Sequence, residues 1–124
     1  MTATRLLVVE DEPALSNLLK RYLERMGYQV DTSSSAGEAL KLVEEDPARY
    51  ALVITDLALA EMNGEELLEK MQTLNPELRG LVSSGYPYQP RSKQIGFLQK
   101  PYLPKMLDQT LKKLLHTGTG PAAT

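Results

Sequence analysis

The chain has 124 residues, 42% hydrophobic and 24% charged, the composition of a single globular domain large enough to bury a core. Its 14 basic and 16 acidic residues leave a net charge of -2, so charge gives no direct attraction to nucleic acid or to a membrane surface. The absence of cysteine excludes disulfides, thiolate catalysis and zinc–thiolate sites, and no apolar run reaches the length of a membrane span, which together predict a soluble, cytoplasmic domain.

Leu6-Leu7-Val8-Val9 is a short apolar run that ends on the acids Glu10, Asp11 and Glu12. Pro13 suits the first turn of a helix, where its missing N–H costs nothing. Leu15, Leu18, Leu19, Tyr22, Leu23 and Met26 recur with helical period and predict one face packed on a sheet, with Gly27 ending the helix. Tyr28 to Thr32 alternates weakly, and its Gln and Asp predict an edge strand. Ser35 with Glu38 is a capping box for a second helix with Ala36, Ala39, Leu40 and Val43 inward, closed by Pro47.

Ala51-Leu52-Val53-Ile54-Thr55 is the strongest strand signal, an apolar run with β-branched residues that ends on Asp56. On this stretch alone Asp56 has two readings: a turn cap, and a carboxylate placed for chemistry at the carboxyl end of a strand. A loop of about seven residues follows, and Asn63 with Glu66 caps a third helix with Leu67, Leu68, Met71 and Leu74 inward. Leu78 to Ser84 predicts a fourth strand, and Ile95 to Leu98 a short fifth ending at Lys100-Pro101. Between them, Pro87 and Pro90 argue against a regular helix. Pro104 opens a last helix with Met106, Leu107, Thr110, Leu111, Leu114 and Leu115 inward, and His116 near its end reads as a solvated residue. The tail from Thr117 to Thr124 has nothing to bury and reads as a flexible end or linker after a domain of residues 1–116.

Strands and helices that alternate in this way predict an α/β fold, a doubly wound parallel sheet with helices on both faces. Its strand ends share one rim, which gathers Glu10 and Asp11, Asp56, Ser84 and Lys100. Crowded carboxylates repel unless a cation offsets them, and a hard divalent ion such as Mg²⁺ takes such oxygen ligands. A lysine and a hydroxyl at the same rim can hold phosphoryl oxygens, and a carboxylate can accept a phosphoryl group as an aspartyl phosphate.

Val8-Val9-Glu10-Asp11-Glu12-Pro13, Ile54-Thr55-Asp56, Met62-Asn63-Gly64, Ser83-Ser84-Gly85-Tyr86 and Phe97-Leu98-Gln99-Lys100-Pro101-Tyr102 occur in order and at fitting spacing. Together they resemble the receiver domain of two-component response regulators, and the resemblance runs from about Arg5 to His116. It implies a flavodoxin-like five-stranded sheet of order 2-1-3-4-5, a cis Lys100-Pro101 bond, and phosphorylation of Asp56 by a histidine kinase or histidine phosphotransfer protein. It further implies Mg²⁺ among Glu10, Asp11, Asp56 and the backbone carbonyl of Ala58, Ser84 as switch hydroxyl, Phe97 as switch aromatic, and Lys100 on the phosphoryl group. A weak homodimer is a further implied association, and the only implied chemistry is phosphorylation and dephosphorylation of the domain's own Asp56.

The sequence departs from that family at Glu10, where Asp is usual, at Ala60, where Pro is usual, and at Leu103, where Thr or Ser often caps the last helix. The stretch from Gly85 to Gly96 is shorter than usual, so the family's fourth helix is expected to be shortened or missing, as in receivers attached to hybrid sensor kinases. Two other classes remain to be weighed against a phospho-acceptor switch. A phosphatase of the haloacid-dehalogenase type would need a second acid two residues after Asp56, where Ala58 stands. A docking module that uses the fold without phosphorylation would not need competent residues at every site position.

Overall fold

The computed structural model describes residues 4–116. Among them are five strands and four helices, which alternate except between β4 and β5: β1 (Arg5–Val9), α1 (Pro13–Arg25), β2 (Gln29–Ser33), α2 (Ala36–Glu45), β3 (Leu52–Asp56), α3 (Gly64–Leu74), β4 (Arg79–Ser84), β5 (Ile95–Gln99) and α4 (Pro104–His116). All strand pairs are parallel and the sheet order is β2-β1-β3-β4-β5. This is the flavodoxin-like order, with β3, buried along all but its last residue, at the centre. The polar β2 lies at the edge, where Arg5 on β1 reaches across to pair with Asp31 at 3.0 Å.

Successive strand residues point to opposite faces, so each central strand contributes to two cores. Leu6 and Val8 of β1, Leu52 and Ile54 of β3 and Leu81 of β4 pack with Leu19 and Leu23 of α1 and Leu107, Leu111 and Leu114 of α4. Leu7, Val9, Val53 and Val82 point the other way and pack with Ala36, Ala39 and Val43 of α2 and Leu67, Leu68 and Met71 of α3. The doubly wound arrangement follows, because each helix has one apolar stripe and the sheet has two apolar faces.

The predicted box at Asn63 forms in full and the one at Ser35 by half, since the Glu38 carboxylate accepts from the Ser34 N–H and not from that of Ser35. Ser35 Oγ accepts from the Glu38 N–H at 3.1 Å, and Asn63 with Glu66 makes a reciprocal capping box at the start of α3. Glu12, at the corresponding position of α1, makes no side-chain cap. Three apolar residues assigned inward by periodicity remain about two-fifths exposed: Leu18 of α1, Leu74 of α3 and Met106 of α4. Helical period marks the centre of an apolar stripe, but the stripe is wider than the strip of sheet available to cover it. His116 is exposed at the end of α4, and the tail from 117 lies outside the described residues.

Residues 85–94 run from β4 to β5 without a helix. The two prolines explain this, since each removes a backbone donor and clashes with a preceding helical turn. The helix that would ordinarily follow β4 is therefore missing, and α4 here is the helix after β5.

Candidate functional site

The carboxyl ends of β1 and β3 bring Glu10 and Asp56 side by side. The register pairs Val9 with Thr55, so the next residue on each, Glu10 just past β1 and Asp56 at the end of β3, reaches the same level of the rim. Carboxylate oxygens of Glu10, Asp11 and Asp56 all lie within 4.8 Å of one another. Lys100, just past β5, places its ammonium 2.6 Å from Asp56 Oδ1 and 3.9 Å from Glu10 Oε1. The Lys100–Pro101 bond is cis.

The loop after β3 is held closely. The Leu57 N–H donates to the Ser83 carbonyl at 2.8 Å, the Gly64 N–H donates to the Leu57 carbonyl at 2.6 Å, and Ala58 bridges to Asn63. Gly64 is required by this closure, since a Cβ there would run into the Asp56 carbonyl oxygen. Thr55 Oγ1 also donates to that oxygen, at 2.9 Å. Asp56 thus stands on a backbone tied at both ends, with its side chain only partly exposed.

Glu10 is buried, whereas Asp11 is exposed. Burial, and next the neighbouring Asp56 carboxylate, push the Glu10 carboxyl up to about 7. Its Oε2 accepts from the Glu12 N–H at 3.2 Å, so the longer side chain folds back on its own loop. Burial, reinforced by the negative charges of Asp56 and Glu10, pushes the Tyr102 phenol up to about 12. Below the rim, a cavity of about 260 Å³ between the sheet, α1 and α4 is lined by Ile54, Leu19, Tyr22 and Tyr102 and reaches Asp56 and Lys100.

Ser84 and Phe97 lie on the β5 side of the same edge. The Ser84 carbonyl accepts from the Lys100 N–H at 2.8 Å, and Ser84 Oγ accepts from the Tyr86 N–H at 3.0 Å. Phe97 is half-buried, with its ring centroid 6.2 Å from that of Tyr88 and the rings inclined at 56°. The donor set suits a hard divalent cation: several carboxylate oxygens converge on one point, and a single lysine offsets only part of their charge.

The sequence profile of the response regulator receiver domain matches residues 6–112. The chain belongs to the response regulator receiver domain family. The receiver domain is 34% identical over 115 residues to the sensor kinase CckA of Brucella abortus, covering 88% of this chain and 12% of that protein. It therefore spans only a small part of that relative's length. The structure of a receiver domain from the hybrid histidine kinase CckA superposes with a TM-score of 0.80 at 32% identity, covering 90% of this chain and 98% of the other. The response regulator TrrA of Thermotoga maritima, solved with Mg²⁺ and beryllofluoride, superposes with a TM-score of 0.77 at 28% identity, covering 90% of this chain and 98% of the other.

Two residues of this receiver domain carry no local sequence signal for their part in the site, Gly64 and Glu65. Gly64 leaves no room for a side chain beside the Asp56 carbonyl, and its N–H bond to the Leu57 carbonyl closes the loop. Glu65, beside the cap pair, is fully buried and binds Tyr88 and Arg91 from the segment after β4. A carboxylate between a cap and an apolar run carries no sequence sign of burial, because its partners lie more than twenty residues away.

Proposed function

We propose that this receiver domain takes a phosphoryl group onto Asp56 from a phosphohistidine on a histidine kinase or histidine phosphotransfer protein. The observation that carries the assignment is the contact between the Lys100 ammonium and Asp56 Oδ1 at 2.6 Å, inside a cluster of carboxylates. Lysine holds one oxygen of Asp56, which leaves the other as the nucleophile. That oxygen attacks phosphorus, a P–O bond forms, and the P–N bond to the donor imidazole breaks. The bonding pair returns to the imidazole nitrogen, and the donor leaves as neutral imidazole with its proton on the other nitrogen. Lys100 then balances the charge of the new acyl phosphate.

Glu10, Asp11, Asp56 and the backbone carbonyl of Ala58 would hold Mg²⁺, a proposal supported by the converging oxygens and by the Mg²⁺–beryllofluoride complex of the TrrA relative. The ion, when bound, supplies charge neutralisation for phosphoryl oxygens. After transfer, the Ser84 hydroxyl would donate to a phosphoryl oxygen, giving up its acceptor role toward the Tyr86 N–H, and Phe97 would shift with it. The resemblance to a hybrid-kinase receiver supports a relay role in the cytoplasm. The phosphatase alternative finds no second acid, since position 58 is alanine.

Incubation with acetyl phosphate and Mg²⁺ tests the assignment. The wild-type chain should gain one phosphoryl group that is stable in acid and released by base, and Asp56→Asn should gain none. Equal labelling of the variant would place the acceptor elsewhere.

A further inference from the structure

The segment that replaces the missing helix is anchored by a carboxylate that phosphoryl transfer does not use. Glu65 lies in the first turn of α3 and is fully buried. Its Oε1 accepts from the Tyr88 hydroxyl, and its Oε2 accepts from the Arg91 N–H at 2.7 Å. The Arg91 guanidinium lies 3.8 Å from Glu65 Oε1 and binds both oxygens of Glu69 at 2.9 Å through one nitrogen. Both oxygens of a buried charge are thus satisfied by one short stretch of chain, at the end of α3 where the helix dipole favours an anion.

That stretch connects the two switch positions. At its start, the Tyr86 N–H donates to Ser84 Oγ; near its middle, the Tyr88 ring lies against Phe97. A sheet face that lacks its helix needs another cover, and beside Phe97 that cover is Tyr88, held by its hydroxyl to Glu65. Movement of Phe97 toward Tyr88 would displace that ring and loosen its bond to the buried carboxylate.

We infer that Glu65 is a positioning residue for the switch: through Tyr88 it latches Phe97 in the unphosphorylated arrangement. The inference rests on the phosphorylation reading above and adds the element against which phosphorylation works. Loss of the latch shifts the balance of the unphosphorylated protein toward the phosphorylated arrangement, by about tenfold if one hydrogen bond to a charged group is released.

Phe97 is the chain's single phenylalanine, so fluorophenylalanine incorporation gives one ¹⁹F resonance that reports on it. Wild-type spectra without and with Mg²⁺ and beryllofluoride define the resting and activated positions. Glu65→Met removes both acceptors while filling the space, and Tyr88→Leu removes the hydroxyl from a partly exposed site where folding is safe. Neither introduces a second phenylalanine. Without beryllofluoride, both variants should move from the resting toward the activated position, and Glu65→Gln, which keeps one acceptor, should fall between them and wild type.

If the wild-type resonance responds to beryllofluoride but folded variants stay at the resting position, the latch is overturned and the switch stands. A move toward the random-coil position would make Tyr88 a packing residue only and would also overturn the latch. A wild-type resonance that ignores beryllofluoride would overturn the switch reading and the latch together.

Discussion

The Lys100 ammonium faces two carboxylates at once, 2.6 Å from Asp56 Oδ1 and 3.9 Å from Glu10 Oε1. With Asp11 in the same cluster, the carboxylates outnumber the lysine they share. With Asp56 as the proposed acceptor, Lys100 would both hold it at rest and lower the repulsion that an incoming phosphoryl group meets. Lys100→Met keeps the stem and removes the charge. Phosphorylation of Asp56 by acetyl phosphate should slow about 10- to 100-fold, the rate equivalent of the ~1.5–3 kcal/mol of a hydrogen bond to a charged group. Mass spectrometry over time measures it, and an unchanged rate would confine the lysine to the resting state.

The raised Glu10 carboxyl makes the metal-free protein sensitive to pH. In the folded state it holds its proton up to about 7, against 4.5 for the free group. The associated stability is fully present below 4.5 and is lost as pH rises through about 7. Thermal melts in chelator should therefore show wild type losing stability between pH 5 and 7.5 relative to Glu10→Gln. Mg²⁺ binding competes with that proton, so its affinity should rise over the same interval in wild type and change less in the variant. Titration calorimetry at several pH values checks this, and parallel profiles would exclude Glu10 as the titrating group.

Gly64 and Gly37 should respond in opposite directions to alanine. A Cβ at Gly64 meets the Asp56 carbonyl, which belongs to the backbone and cannot turn aside, so Gly64→Ala should cost about 1–3 kcal/mol and weaken Mg²⁺ binding. A Cβ at Gly37, in α2, meets nothing within 4 Å, so Gly37→Ala should stabilise by about 0.5–1 kcal/mol. Denaturant melts of the two variants measure the contrast.

Leu103 precedes α4, and its carbonyl accepts from the N–H groups of Met106 and Leu107 at 3.0 and 3.1 Å. Its side chain is 65% exposed and has no acceptor for the open N–H groups of the first turn. Leu103→Asp should stabilise by about 1 kcal/mol and raise the melting temperature by a few degrees, with phosphorylation of Asp56 retained. A fall in melting temperature would mean that the leucine's apolar contacts outweigh the cap.

The sequence by itself determined the element order, the parallel sheet and the rim where Glu10, Asp11, Asp56 and Lys100 meet. Those features rest on local signals: the apolar run of β3, the capping pair Asn63 and Glu66, and the prolines that forbid a helix after Ser84. Strand ends in a parallel sheet share one edge, so locating the strands located the site. Only the tertiary structure decided which of the apolar residues stay partly exposed, as Leu18, Leu74 and Met106 do, because that depends on how much sheet lies opposite each stripe. It also decided that Glu10 turns back to the Glu12 N–H and that Glu65 is buried beneath Tyr88 and Arg91. A carboxylate's protonation and partners depend on what the fold packs around it, and for Glu65 those partners come from a distant stretch of the chain that no local pattern connects to it.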